Sequence, residues 1–106
     1  ADEFMEAKER LPELATLVNE RDWVFTRNLL RGPMQPLGRE MLYINQRLLP
    51  QDRKEADKRA AELKNALAEL DEAARLQDGS RLTKEYSRVA SGFSSYAEMI
   101  PAEALS

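Results

Sequence analysis

The sequence from Asp22 to Met41 reads Asp-Trp-Val-Phe-Thr-Arg-Asn-Leu-Leu-Arg-Gly-Pro-Met-Gln-Pro-Leu-Gly-Arg-Glu-Met, and it lies where one helical pattern ends and another begins. It contains the only tryptophan of the chain, two of its five prolines and two of its four glycines. Gly32 and Pro33 are expected to end a helix, with the glycine in a left-handed cap and the proline unable to continue the ladder. The next helix is expected near Pro36, because proline suits an entry turn better than a helix interior.

Apolar residues on both sides of this stop recur every three or four positions, which predicts an amphipathic helix before it and another after it. The first helix begins at Leu11, with Pro12 in its first turn. Its predicted core residues are Leu11, Leu14, Leu17, Val18, Val24, Phe25 and Leu29. The second helix ends at Leu49-Pro50, and its predicted core residues are Met34, Leu37, Met41, Ile44 and Leu48.

Two further helices follow. The third is expected to open at Asp52, where Glu55 completes a capping box, and to end at Asp78-Gly79. Its predicted core residues are Ala56, Ala60, Leu63, Leu67, Leu70 and Ala74. The fourth is expected to run from Ser80, as its N-cap, to Pro101. Its predicted core residues are Leu82, Tyr86, Val89, Phe93, Tyr96 and Ile100. Since the third helix offers alanines where the fourth offers aromatic rings, these two are expected to pack closely.

Four amphipathic helices joined by short connections predict an all-α fold with the architecture of an up-and-down four-helix bundle. The bundle is expected to occupy residues 11–101 as one domain. Residues 1–10 are expected to form a flexible, partly helical lead-in, and residues 102–106 a short tail.

The composition argues against most enzyme classes. The chain has neither cysteine nor histidine, which removes thiolate nucleophiles, the commonest general base and the commonest transition-metal ligand. Ser94 and Ser95 belong to no nucleophile motif, and no phosphate-binding loop is present. We therefore expect no catalytic residue, cofactor or metal site. A surface site for a hard cation at Asp52, Glu55 and Asp57 is the alternative to an ordinary solvated acidic face.

Charge and hydropathy limit the partners. The formal net charge is −3, from 16 basic and 19 acidic residues, so no basic field favours nucleic acid. No apolar run reaches the roughly 18 to 20 residues that span a bilayer. The acidic N-terminus differs from a signal peptide, which leaves open a mature or trimmed form and a cytoplasmic one.

A local basic band is the best candidate for a contact surface. Between Arg21 and Arg47 there are five arginines against two acidic residues, and such a band can dock an acidic partner. We expect the contact residues to be Trp23, Arg27, Arg31 and Arg39. The alternatives are that these arginines are solvated or paired within the chain, and that Trp23 packs in the core rather than serving as an exposed anchor.

Several fragments in this order resemble the PsbQ family, and its cyanobacterial branch, called CyanoQ, most closely. They are Trp23, Arg27-Asn28, Arg31-Gly32-Pro33, Arg39-Glu40-Met41, Leu48-Leu49-Pro50, Leu70-Asp71-Glu72-Ala73-Ala74, and the late Tyr86 and Phe93 with a closing Pro101. The resemblance extends from about Leu11 to Pro101.

This resemblance implies a non-enzymatic extrinsic subunit of photosystem II, bound to lumenal subunits on the thylakoid membrane. Members support the stability of the oxygen-evolving complex and its calcium and chloride requirement without manganese ligands. They also resemble lipoproteins held by an N-terminal cysteine, which this chain lacks, so peripheral membrane association through a lipid anchor outside this chain is expected. Some members bind zinc through histidines, and that site is not carried over. The free chain is expected to be a monomer.

A function of another class remains open, namely a helical adaptor or small-ligand bundle unrelated to photosynthesis. Such a protein would associate with a different partner and would not purify with photosystem II.

Overall fold

The computed structural model describes residues 2–101, and in that range it contains six α-helices and no strand. The helices are α1 (Asp2–Glu9), α2 (Leu11–Asn19), α3 (Trp23–Arg31), α4 (Leu37–Gln46), α5 (Pro50–Arg75) and α6 (Gly79–Met99). The predicted all-α fold is confirmed. The predicted tail at 102–106 lies outside the described residues.

Helix α1 differs from the flexible lead-in expected for residues 1–10. Phe4 and Ala7 are buried, and the Phe4 ring lies 5.5 Å from the ring of Phe93 and 5.3 Å from that of Tyr96. The sequence signal was weak because only Phe4 and Met5 are large apolar residues in this segment. A single phenylalanine that enters the core is nevertheless enough to make α1 part of the packed body.

The first predicted helix is interrupted, and this corrects the expectation of one helix from Leu11 to Gly32. Arg21 has a φ of 56°, and the Asp22 side chain accepts a hydrogen bond from the Phe25 backbone N–H at 3.1 Å, which caps a new helix. The Arg21 side chain donates to the Val18 carbonyl at 2.9 Å and to the Thr83 hydroxyl at 3.1 Å. The break lets α2 pack on α6 while α3 packs on α5.

The break also changes which residues face the core. Val24 and Phe25, both predicted to be buried, are 66% and 59% exposed. Leu29 is buried as predicted, and the other buried residues of α3 are Thr26 and Leu30, which were not predicted. The periodicity from α2 fails here because the helix restarts at Asp22 with a new rotational phase.

The stop at Gly32 occurs where expected but by a different geometry. Gly32 has a φ of −101°, so the predicted left-handed cap is wrong. Its backbone N–H donates to the Asn28 carbonyl at 2.8 Å, and a Cβ at this position would lie 2.9 Å from that oxygen. Glycine is therefore required for close approach rather than for a positive φ.

Two predicted caps are also wrong. Helix α5 begins at Pro50, before Asp52, and its N-cap residue Leu49 makes no side-chain cap. Proline at the first position of the helix explains the earlier start, because its missing N–H has no partner to lose there. Helix α6 is capped by Asp78, whose carboxylate accepts from the Arg81 N–H at 3.1 Å, rather than by Ser80.

The close packing expected between the third and fourth predicted helices is confirmed for α5 and α6, which form the most extensive helix pair. A Cβ on Gly92 would lie 3.0 Å from Leu63 Cδ1 and 3.5 Å from Leu63 Cα. Phe93 and Tyr96 are fully buried, and α5 contributes the small buried residues Ala60, Ala66 and Ala73. Small residues thus let the two helices approach closely while the rings fill the core.

Candidate functional site

The four predicted contact residues lie on two helices. Trp23 opens α3, and Arg27 and Arg31 follow one and two turns later, whereas Arg39 lies near the start of α4. Trp23 is half-buried and packs against the hydrophobic core. Its indole therefore contributes to packing, while part of its surface stays accessible.

Arg27 and Arg31 are paired within the chain. Arg27 Nε lies 3.2 Å from Asp71 Oδ1, and an Arg31 guanidinium nitrogen lies 3.2 Å from Asp71 Oδ2. One carboxylate on α5 thus holds two arginines of α3, which are one turn apart on the same face. The Arg31 side chain remains 63% exposed, so this contact is screened by solvent and contributes at most about 1 kcal/mol.

Arg39 is different, because it is exposed and makes no ion pair or hydrogen bond within the described part of the chain. It lines a cleft of about 730 Å³ between α4 and α5. The residues around this cleft are Gln35, Gly38, Arg39, Leu42, Asn45, Asp57, Ala60, Ala61 and Lys64. Sequence reasoning identified Arg39 but missed Lys64, which belongs to a helix far away in the chain.

A second depression of about 450 Å³ continues the cleft toward α3. It is lined by Leu30, Arg31, Met34, Gln35, Gly38, Lys64, Leu67, Ala68 and Asp71. The two depressions adjoin at Gln35, Gly38 and Lys64, and together we call them the α4–α5 groove. It extends from Asp71 at one end to Asp57 at the other.

Hydrogen bonds fix the Asp57 end of this groove. The Tyr96 hydroxyl donates to Asn45 Oδ1 at 2.7 Å, and the Asn45 amide donates to Asp57 at 2.9 Å. Asn45 and Tyr96 are almost fully buried. Burial raises the pKa of Tyr96 far above its usual range, and the nearby Glu40 and Asp57 carboxylates raise it further. The neutral phenol is thereby kept as a hydrogen-bond donor that links α6, α4 and α5.

Exposed apolar side chains border the basic band, and sequence reasoning did not place them there. Val24 and Phe25 lie on α3, and Leu42 and Tyr43 lie on α4. Arg47 stacks over the Tyr43 ring with 5.3 Å to its centroid. The Asp22 cap was the signal that could have placed Val24 and Phe25 on the outside. For Leu42 and Tyr43 the signal is that both lie off the spacing of Leu37, Met41 and Ile44.

The α5–α6 pair carries ion pairs rather than free charges near the connection between its two helices. Arg75 bonds to Glu72, and Arg81 bonds to Glu69. The hydrogen bond from Arg75 lowers the pKa of the Glu72 carboxyl below its usual range, and the bond to Glu69 raises the pKa of Arg81. These mutually satisfied charges contrast with Arg39 and Lys64 in the groove.

Neither a cluster of metal ligands nor a membrane-spanning helix is present among residues 2–101. Within the described range, acidic side chains form no group of three or more that could hold a metal ion. Of the residues named for the alternative hard-cation site, Glu55 pairs with Arg59 and Asp57 accepts from Asn45. No helix among residues 2–101 combines the length and apolarity required to cross a bilayer.

Comparison with known proteins identifies the family. The family model of PsbQ, described as oxygen evolving enhancer protein 3, matches residues 1–101. This chain belongs to the PsbQ family. The resemblance seen in the sequence fragments is therefore confirmed, and the PsbQ family is one of structural subunits rather than enzymes.

A curated PsbQ-family relative gives the extent of the similarity. CyanoQ of Synechocystis sp. is 33% identical to this chain over 88 residues, which cover 83% of the chain. The matched segment covers 59% of the CyanoQ sequence, so the chain corresponds to somewhat more than half of that relative. Since α1 to α6 all lie within the family match, the groove and the arginine band are features of its PsbQ domain.

Proposed function

We propose that this chain is a non-enzymatic extrinsic subunit of photosystem II that docks on the lumenal face of the thylakoid membrane and supports the stability and ion retention of the oxygen-evolving complex. The observation that carries the proposal is the PsbQ family match over residues 1–101. The 33% identity to CyanoQ supports the cyanobacterial branch. Peripheral attachment through a lipid anchor outside this chain, a monomeric free state and an up-and-down bundle arrangement belong to the same proposal.

The docking residues in this proposal are Trp23, Arg27, Arg31 and Arg39. Arg39 carries the strongest expectation, because no carboxylate in the described structure neutralises it. Arg31 can contribute through its exposed guanidinium while it keeps Asp71 as a neighbour. Arg27 is less accessible, at 29% exposure of its side chain, and its contribution is chiefly to hold α3 in place.

The test is rebinding to photosystem II particles that have been depleted of this subunit, at low and moderate salt. Arg39→Glu is expected to weaken binding by roughly three- to tenfold at low salt, with a smaller effect at moderate salt, because exposed ion pairs are weak and screened. Lys84→Glu is the matched control, since Lys84 is an exposed cation on α6. Equal loss for both variants would remove Arg39 from the docking surface.

A second pair of variants separates contact from internal support. Arg27→Gln with Arg31→Gln removes both cations, whereas Asp71→Asn removes their internal partner and leaves them in place. If the arginines touch the partner, the double variant weakens binding and Asp71→Asn preserves or strengthens it. Equal weakening in both would assign Arg27 and Arg31 a purely structural role. If the unmodified chain fails to bind the depleted particles, photosystem II is not its partner and the helical-adaptor alternative stands.

A further inference from the structure

The α4–α5 groove has the length that a short extended peptide would occupy. Along α5 its end residues Asp57 and Asp71 are separated by about 21 Å, from a rise of about 1.5 Å per helical residue. An extended chain advances about 3.3 Å per residue, so the groove matches a segment of roughly six residues. Its wall includes Leu42, which is 55% exposed, and its floor includes the small residues Ala60 and Ala61.

The charged side chains of the groove differ between its centre and its ends. Arg39 and Lys64 lie in its middle, both exposed and without an ion pair or hydrogen bond inside the described range. Lys64 extends across the groove onto α4, where its Cε lies 3.3 Å from the position of a Cβ on Gly38. Carboxylates occupy the two ends, Asp57 at one and Asp71 at the other. Asp71 is paired with Arg27 and Arg31, and the exposed Arg31 also lines that end. The groove is therefore positive from its centre to the Asp71 end and negative only at the Asp57 end.

Both ends of the groove are fixed before any ligand arrives. At one end the Tyr96–Asn45–Asp57 chain of hydrogen bonds joins three helices. At the other end Arg27 and Arg31 connect α3 to α5 through Asp71. Because these side chains are already ordered, less conformational entropy is lost when a ligand binds, which favours a specific ligand.

We propose that the α4–α5 groove binds an extended segment of a partner protein, with acidic side chains at the centre of that segment and a neutral or basic side chain at the end that meets Asp57. The central carboxylates pair with Arg39 and Lys64, and an apolar side chain of the segment covers Leu42. An acidic residue at the end beside Asp57 is disfavoured by that carboxylate. A small inorganic anion would contact only two solvated cations and would leave Leu42 exposed. The proposal rests on the proposed function only for the identity of the partner.

The first test needs no photosystem. The probe is an end-blocked peptide of about ten residues with Glu-Leu-Asp at its centre and serine and lysine on both sides, titrated into the isotope-labelled chain and followed by amide NMR shifts. Saturable shifts are expected at Gly38, Arg39, Leu42 and Lys64. A permuted peptide of the same composition, with its acids at the two ends, is expected to bind at least about fivefold more weakly. Absence of saturable shifts at these amides, or equal binding of the two peptides, overturns the proposal.

Charge reversal provides the matched control. Arg39→Glu with Lys64→Glu is expected to weaken the central-acid peptide by about tenfold or more, because two ion pairs become repulsive. Lys8→Glu with Lys84→Glu alters the net charge equally at exposed positions outside the groove, and it is expected to change the affinity less than twofold. Equal effects of the two double variants would mean that the peptide responds to net charge alone, and would overturn the site.

The second test separates the groove from the proposed function. A photo-crosslinking amino acid replaces Leu42 in the groove or, as a control, the exposed Leu76 outside it, and both proteins are bound to depleted photosystem II. A crosslink from position 42 to an acidic segment supports the groove. Binding with crosslinks from position 76 alone overturns the groove and preserves the proposed function. If neither protein binds, the proposed function fails, and the peptide titration by itself judges the groove.

Discussion

The α5–α6 pair and the α3–α4 segment use similar residue types for different purposes. In the pair, Phe93 and Tyr96 are fully buried and contact the Phe4 ring, and charges such as Glu69 and Arg81 satisfy one another. In the segment, Phe25 and Tyr43 face solvent, and Arg39 has no partner in the described structure. The long helices provide stability, and the short helices present accessible groups on that stable base.

This division has a physical reason. Two long helices with a continuous apolar seam can bury most of their contact residues, and the stability gained that way can support exposed groups elsewhere. Helices α3 and α4 are short, each about three turns, and each buries one narrow face. Their remaining surface stays available for contact, and its position is fixed by α5 beneath it.

The largest expected effect compares two phenylalanines. Phe93→Ala removes a fully buried ring that packs on Phe4, and it is expected to lower the free energy of unfolding by about 3–5 kcal/mol. Phe25→Ala removes an exposed ring, and its effect is expected to stay within about 0.5 kcal/mol. Urea denaturation of both variants measures the difference. Similar losses would abolish the distinction between the two regions.

A smaller effect is expected at the link between the regions. Tyr96→Phe removes the hydroxyl that donates to Asn45 and leaves a buried acceptor unsatisfied, which costs about 1–2 kcal/mol at neutral pH. Burial raises the pKa of Tyr96 in the folded protein, so its phenol is neutral there at a pH where the unfolded phenol ionises. The contribution of Tyr96 to the free energy of unfolding is therefore complete below the pKa of tyrosine in the unfolded chain, which is about 10. It is lost as the pH rises above that value.

Denaturation of the wild type and of Tyr96→Phe between neutral and strongly alkaline pH checks the direction of this pH dependence. The gap between their free energies of unfolding is expected to narrow above about pH 10. A gap that widens there would show that Tyr96 is not held as a buried neutral donor. Tyr43→Phe is the control, because Tyr43 is exposed on α4.

The smallest expected change in stability concerns two connections between helices, each of which contains a residue with a positive φ. Gln77, between α5 and α6, has a φ of 55°, and Gln77→Gly is expected to stabilise the protein by roughly 0.5–1 kcal/mol through relief of that strain. Arg21 has a similar φ, but its side chain bonds to Val18 and Thr83. Arg21→Gly is therefore expected to give no gain. Thermal unfolding measures both, and a gain for Arg21→Gly would mean that its side-chain contacts are dispensable.

The helical fold was predictable because α5 and α6 have long, regular apolar spacing and clear ends near Asp78 and Pro101. The break at Arg21 was not, since its flanking residues satisfy the same spacing on both sides, and only the Asp22 cap distinguishes one helix from two. Phe25 was misplaced for that reason. Similarly, Phe4 is a single apolar residue whose partners Phe93 and Tyr96 lie at the other end of the chain.

The candidate site was predictable in part. Arg27, Arg31 and Arg39 stand out as a local cluster, but their difference in availability depends on Asp71, which local sequence cannot connect to them. Lys64 was missed because its proximity to Gly38 arises only when α4 packs on α5. Spacing along one helix thus identifies candidate residues, and tertiary packing determines which of them remain free.

The contact of Phe4 with Phe93 and Tyr96 has a consequence for the order of folding. A chain synthesised or exported from its N-terminus releases Phe4 long before either of those rings is available. The core around α1 can therefore close only after the chain as far as Tyr96 has emerged, and contacts between such distant residues slow the closing step. Until then Phe4 remains an exposed apolar group on a nascent chain, where transient aggregation or chaperone binding would begin.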